Sequence, residues 1–522
     1  MKRIILLLLA LVMVVSVFAA CTTDPAKTTP KSTTPKKNNT GTGDLPEEEI
    51  LNVDIDSIDY DQQPVYIFHC VPDYQTFEFT EFEINESDIG NHAVKDAIYK
   101  KNLYTEQAIG VDLQFIMTTK GYNYMSQYID RLKSCLSDTT TPIDIISGTS
   151  RQLPFVMTEG YLQELNALSD LDFEKAWWPG EVVDFFSVKD RLYFVSGDIS
   201  TALLTEMLTI FVNKKTLEAR GTTYDQFMTD YLAGNWTLDN LIELCDGMYS
   251  EGSDSKKPGP SVDDTFGFVT TWCDSDALYN GAGFSYLTQS NRDNEVFRLA
   301  TDMVSEAVDK YVTKMIEWSE TYEFFISNHG EWLYRENFME GRSLFCLANA
   351  WYGSELQNTD IDYAVVAPPK LDDNQDRYYT STGTTYFTYG ISAGTCMDFD
   401  RAAQTLQCLG YYAKQFTTPA IFEISFQGKF AKDQHTIDSF ELIRTSLTYD
   451  PGKYYDTFIC GAAGNMWAYY PANIVSYALC GGDNWSVGGR VWRTEFSTTK
   501  QNTLRGYITD ANTKILAFLE TQ

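Results

Sequence analysis

Between Val65 and Ile146 short β-rich runs alternate with helical ones, and this alternation limits the fold more than any other feature. Val65-Tyr66-Ile67-Phe68 is a run of strand formers after Pro64. Asp96 to Ile109 has helical spacing, and Gly110 is placed to stop it. Val111 to Ile116 alternates apolar and polar residues, as a strand does. Met125, Tyr128, Ile129, Leu132 and Leu136 return to the helical period. Ile143-Asp144-Ile145-Ile146 is a short strand ended by Ser147-Gly148. The order strand, helix, strand, helix, strand predicts βαβ units and a largely parallel sheet.

The alternation resumes around a second centre. Tyr193–Val195, Leu208–Val212, Phe266–Val269, Phe345–Leu347, Tyr363–Ala367 and Thr385–Ile391 read as strands. Helices are predicted over Leu238–Tyr249 with Thr237 as N-cap, from Ala300 to Met315, from Ala402 to Phe416 and from Leu504 to Leu519. Ser250–Asp264 and Pro368–Asp376 have loop composition. No internal repeat is visible, which removes solenoids and propellers. A chain of 522 residues is too long for a single core, so two or more domains are expected.

The first residues set the compartment. Met1-Lys2-Arg3 is followed by an almost wholly apolar run to Val17 and then Phe18-Ala19-Ala20-Cys21. A cationic start, a short apolar stretch and small residues before a break make a secretory signal over residues 1–20. The run is shorter than the roughly 20 residues a membrane span needs. Small residues directly before Cys21 resemble the lipobox of bacterial lipoproteins, although Phe18 stands where that motif usually has Leu. The resemblance implies that Cys21 is the lipid anchor; an ordinary signal peptide would leave Cys21 a free thiol. Residues 21–59 then form the lipidated cysteine and a flexible tether, because Thr22 to Gly43 offers almost no apolar residue to bury.

Charge narrows the partners. Asp plus Glu outnumber Lys plus Arg by 72 to 40, a formal charge of −32. Such a surface repels phosphate backbones, so nucleic acid is excluded, and a membrane is reached through the anchor only. Four histidines without helical pairing and no C-x-x-C leave no metal or cofactor signature. The nine cysteines beyond Cys21 are compatible with free thiols or with at least one disulfide. No nucleophile elbow, Walker loop, H-E-x-x-H or dinucleotide fingerprint occurs, so no catalytic residue is expected.

Several segments, in order, resemble the family 1 extracellular solute-binding proteins of bacterial ABC importers, the carbohydrate-binding group related to maltose-binding protein. They are Pro142-Ile143-Asp144-Ile145-Ile146-Ser147-Gly148, Gly160-Tyr161-Leu162-Gln163-Glu164-Leu165, Asp190-Arg191-Leu192-Tyr193-Phe194-Val195, Phe211-Val212-Asn213-Lys214-Lys215-Thr216-Leu217, Asn235-Trp236-Thr237-Leu238-Asp239-Asn240-Leu241, Phe338-Met339-Glu340-Gly341-Arg342-Ser343-Leu344-Phe345 and Tyr389-Gly390-Ile391-Ser392. Val195 and Val212 depart from that group's usual Pro and Tyr, and the likeness fades after Phe416. The resemblance implies a type II periplasmic-binding-protein-like fold: two hinge-linked α/β lobes with a ligand cleft between them. Lobe one spans 60–196 plus 386–445 and lobe two 206–375 plus 455–522, with crossings near 197–205, 376–385 and 446–454. It further implies a monomer on the outer face of the cytoplasmic membrane that takes up a small neutral ligand, a mono- or oligosaccharide, and delivers it to ABC permease subunits. Two rivals remain: the same fold taking a peptide or other small molecule or serving a signalling partner, and a secreted carbohydrate-active enzyme.

A neutral sugar needs aromatic faces and a fan of polar side chains, since buried hydroxyls without partners are costly. Loops at the carboxyl ends of strands supply the candidates. They are Asp73 and Tyr74 after the first strand, Thr149 and Arg151 after the third, Asp198 at the first crossing, and Trp272 after Val269. Asn349 and Trp351 follow the Phe345–Leu347 strand, Tyr386 lies at the second crossing, and Trp467 belongs to the last segment. The family often stacks a Trp on its ligand near Trp351. Trp177-Trp178, Trp236 and Trp318 read as packing residues.

Overall fold

Two open sheets with the same strand order organise the chain. The computed structural model describes residues 49–522 except 72–79, 83, 85–88, 91, 119–124, 139, 180, 253–260, 328–332, 427–432 and 461–497. The predictions for Cys21, Asp73, Tyr74 and Trp467 therefore fall outside the described residues.

The first lobe begins with β1 (Gln63–Cys70), α1 (Ala93–Ile109), β2 (Val111–Thr118), α2 (Met125–Leu136), β3 (Ile145–Thr149), α3 (Leu153–Thr158) and α4 (Val182–Phe186). A short helix, α5 (Thr201–Thr205), leads into the second lobe. There follow β4 (Leu208–Asn213), α6 (Tyr224–Leu232), α7 (Leu238–Cys245), β5 (Phe266–Thr271), α8 (Asp276–Gly281), β6 (Leu287–Gln289), β7 (Phe297–Leu299) and α9 (Glu306–Glu320). Then come β8 (Phe324–Ser327), α10 (Leu333–Met339), β9 (Ser343–Asn349) and β10 (Tyr363–Val366). The chain returns through β11 (Phe387–Ile391), α11 (Phe399–Tyr412), α12 (Thr418–Ser425), α13 (Gln434–Thr445) and α14 (Thr498–Leu519).

In the first sheet the order is β2-β1-β3-β11, with β11 antiparallel and the others parallel. Val195 bridges Tyr389 on the outer side of β11. In the second sheet the order is β8-β5-β9-β4-β10, with only β4 antiparallel to its neighbours. In each sheet the antiparallel strand is the one that enters from the other lobe. That shared arrangement is the two-lobe fold of type II periplasmic binding proteins, as the resemblance implies. Strands β3, β4 and β5 are buried along their whole length, as strands covered on both faces of a sheet must be.

Local signals explain most boundaries. Gly110 ends α1 in the left-handed region at φ 67°, where an added Cβ would lie 2.0 Å from Asp59 Oδ1. Thr237 caps α7 through a reciprocal capping box with Asn240. The long helix predicted from Ala300 instead starts at Glu306, because Ser305 caps it and residues 302–304 form a separate 3₁₀ turn. A π turn at Ala413–Thr417 joins α11 to α12 directly before Pro419, whose ring and missing N–H break α-helical bonding. Trp236 is a core residue between Phe227 and Phe345, its indole N–H donating to Ala367 O at 3.1 Å, and Trp177 and Trp318 are likewise buried. The described cysteines from Cys70 to Cys460 form no disulfide among themselves. No described helix is long and apolar enough to cross a membrane.

Two C-terminal helices sit elsewhere than the sequence suggests. Helix α13, within the span read as lobe one, packs on β10 and α6 of the second lobe. Ser439 Oγ donates to Val365 O at 2.5 Å, and the Tyr224 hydroxyl donates to Asp433. Helix α14, read as lobe two, touches both lobes. Asn512 bonds β7 through Val296 N and Phe297 N, and Phe518 packs on Tyr193. Amphipathic periodicity shows that these helices bury a face, but the same face fits either sheet.

Candidate ligand site at the strand ends

Three crossing segments lie side by side between the lobes. Residues 206–208 run antiparallel to 381–383: Leu208 N donates to Ser381 O and Gly383 N to Glu206 O, both at 2.9 Å. The segments approach closely at Gly383, where an added Cβ would displace the Glu206 carboxylate. Thr380 bridges Leu447 in parallel, and the Tyr454 hydroxyl accepts from Thr382 N at 2.9 Å. The carboxyl end of β3 opens onto this floor, Ser150 N donating to Tyr386 O at 3.0 Å. The carboxyl end of β9 does so from the other lobe, with Ala350 N to Met207 O and Trp351 N to Thr205 O. Open α/β sheets bind ligands at such ends.

On the second lobe an aromatic and charged cluster marks the spot. The Arg335 guanidinium lies 4.3 Å from the centre of the Trp351 ring and donates to Asn349 Oδ1 at 2.7 Å and to the Tyr334 hydroxyl at 2.8 Å. Cation–π stacking and the planar fork fix the indole plane and cover one of its faces. Trp351 itself remains partly exposed, as does Trp272 at the end of β5. Burial raises the Asp274 carboxyl above its ordinary range, while Arg335 and Lys453 draw it back down.

On the floor, Lys453 Nζ pairs with Asp276 at 3.0 Å and reaches Ser381 Oγ at 3.5 Å. Burial lifts Asp276 to about 6, against the pull of Lys453. Arg151 of the first lobe pairs with buried Asp456 at 3.4 Å. The three cations here are thus each held by a carboxylate or amide of the protein: Arg151 by Asp456, Arg335 by Asn349 and Lys453 by Asp276.

Of the predicted set, Thr149 and Arg151 lie at the carboxyl end of β3, Trp272 at that of β5, and Asn349 and Trp351 at that of β9. Asp198 does not join them. That side chain is fully buried in a pair with Arg444 at 3.1 Å, and the backbone N–H of Asp198 donates to Trp177 O at 2.9 Å, so the residue fastens the crossing instead of facing a ligand. Tyr386 is also fully buried, packed on Tyr454 under the floor. Thr149 is buried too, at the last position of β3. Arg335, Lys453, Asp276 and Asp456 escape sequence reading. Arg335 follows β8 on a helix whose pattern marks only its apolar face, and the 450s carry no motif. Among the described residues no cluster of His, Cys, Asp and Glu could hold a metal ion.

No protein-family model and no curated protein matches the chain. Among solved structures, an ABC substrate-binding protein from Listeria monocytogenes in complex with cycloalternan is 12% identical, with a TM-score of 0.48 over 87% of this chain and 99% of that one. The maltose/maltodextrin-binding domain MalE from Bdellovibrio bacteriovorus bound to maltotriose is 13% identical, with a TM-score of 0.45 over 85% and 99%. The GacH receptor of Streptomyces glaucescens, solved unliganded and with acarbose, is 12% identical, with a TM-score of 0.47 over 87% and 99%.

Proposed function

We propose that the chain is a lipid-anchored extracellular solute-binding protein that captures a small uncharged, polyhydroxylated ligand, a mono- or oligosaccharide, and delivers it to an ABC permease. The observation that carries this reading is the strand-end site. The Trp351 indole, stacked on Arg335 beside Asn349, is still partly exposed, and the named cations already have protein partners. An anionic ligand would have to break one of those pairs, whereas hydroxyls can share their outer lone pairs and protons. A sugar ring offers a C–H face to Trp351 and hydroxyls to the polar rim. Closure of the lobes over it would follow from tighter binding to the closed form. The sequence of the first 21 residues supports export and anchoring through Cys21.

A thermal-shift panel of neutral glycans on the mature chain, followed by calorimetry, tests this reading. A glycan is expected to raise Tm and bind with Trp351→Ala weakening it at least about tenfold. Binding left intact by Trp351→Ala places the site elsewhere, and turnover of the glycan would make the protein an enzyme.

A further inference from the structure

An opening lies on the lobe boundary, and none of the strand-end residues lines it. It is a crevice of about 410 Å³ with one wall from around α4, including Asp184 and Phe185, and the other from the end of α8, including Asn280 and Phe284. Tyr379 and Asp450 of the crossing segments close it.

Its chemistry differs from that of the strand ends. Two exposed carboxylates, Glu181 and Asp184, line it with one cation, Arg377, which is already bonded to Glu181 and stacks on Tyr379 at 4.7 Å, while the buried Asp450 accepts from the N–H groups of Tyr286, Leu287 and Gly452. Asn280 is 3% exposed; its Nδ2 donates to Phe284 O at 3.2 Å, and its Oδ1 has no partner. A buried acceptor without a donor is costly, and a ligand N–H relieves it. Phe185, Phe284 and Tyr379 also line it, and aromatic walls suit an organic cation. The volume lies within the range of small-molecule pockets.

We propose that this crevice binds a small organic cation with N–H donors, of the alkylammonium or diamine class, and that its occupancy biases the angle between the lobes. The same boundary is tied directly. Gln289 Nε2 donates to Phe185 O at 2.7 Å and to Asp184 O and Ser187 O at 3.0 Å. Lys189 Nζ donates to Ser290 O at 2.8 Å and Arg292 O at 2.6 Å. Lys189 and Asp190 both adopt positive φ, 54° and 62°, a costly turn for residues with a Cβ. A lobe rotation that parts these walls breaks the ties and splits the crevice, so an occupant favours the arrangement in which they meet. By linkage the cation and the strand-end ligand then alter each other's affinity by the same factor. Binding of the cation stands apart from the sugar reading; the coupling rests on it.

Calorimetry on the mature chain with 1,4-diaminobutane, sorbitol and sodium sulfate tests the site. The diamine should bind, and sorbitol and sulfate should not. Asp184 is exposed, so Asp184→Lys should fold; it should weaken the diamine at least about tenfold, Asp184→Asn less, and Asp130→Lys on α2 hardly at all. Absence of diamine binding at millimolar concentration overturns the proposal. Equal weakening by Asp130→Lys also overturns it, since that would show adsorption to the overall negative field. A glycan affinity unmoved by saturating diamine overturns the coupling.

Discussion

The strand-end site and the crevice share one lobe boundary yet treat charge in opposite ways. At the strand ends each named cation meets a protein partner, and Trp351 is held flat by Arg335. In the crevice carboxylates outnumber the single Arg377, and a buried amide oxygen waits without a donor. The difference teaches that formal charge of the whole chain says little about either. On the proposed readings a chain at −32 carries one site suited to an uncharged guest and one suited to a cation, because local pairing decides what a site selects.

Four substitutions sharpen or break this contrast, and the largest effect is on stability. Arg444→Met strands the fully buried Asp198 carboxylate under the first crossing. Loss of one partner of a buried pair costs about 3–5 kcal/mol, so a marked drop in the urea midpoint is expected. A midpoint unchanged would mean that the crossing is not fastened there. Trp351→Ala comes next, at least about tenfold in glycan affinity and little in stability, because the ring is partly exposed. Arg335→Met should weaken the glycan by a smaller factor, through loss of the stacked guanidinium, and leave diamine binding unchanged. An equal effect on both ligands would merge the two openings into one site.

The smallest effect is a pH slope. Burial lifts Asp450 to about 7 against an unfolded value near 3.9, despite the N–H donors of Tyr286, Leu287 and Gly452. The folded state therefore holds the proton more tightly, and this group's contribution to stability is full below about pH 4 and is lost as pH rises through about 7. Asp450→Asn should flatten the fall in Tm between pH 5 and pH 8. A slope identical to that of the parent chain would contradict the burial of a titrating carboxyl at this position.

Much of the fold is legible in the sequence because strand ends and helix stops use local chemistry. β1, β2, β4, β5, β9 and β10 appear as β-rich runs, and Gly110 and Thr237 announce their caps. Where packing is set by distant partners the sequence is silent. Helix α13 shows an apolar stripe but not which sheet receives it. Asp198 looks like any acid in an acidic chain until Arg444, more than two hundred residues away, is seen beside it. Of the candidate site, Trp351 and Asn349 follow from their place after a strand. Arg335 does not, because a basic residue on a helix ordinarily points to water.

Small-angle scattering of the mature chain, titrated with the glycan that raises its Tm most, tests the central claim most directly. Two lobes on three crossing segments should contract on saturation, with a lower radius of gyration that Trp351→Ala shifts to higher glycan concentration. A radius unchanged at saturation would contradict closure of the lobes on an uncharged guest.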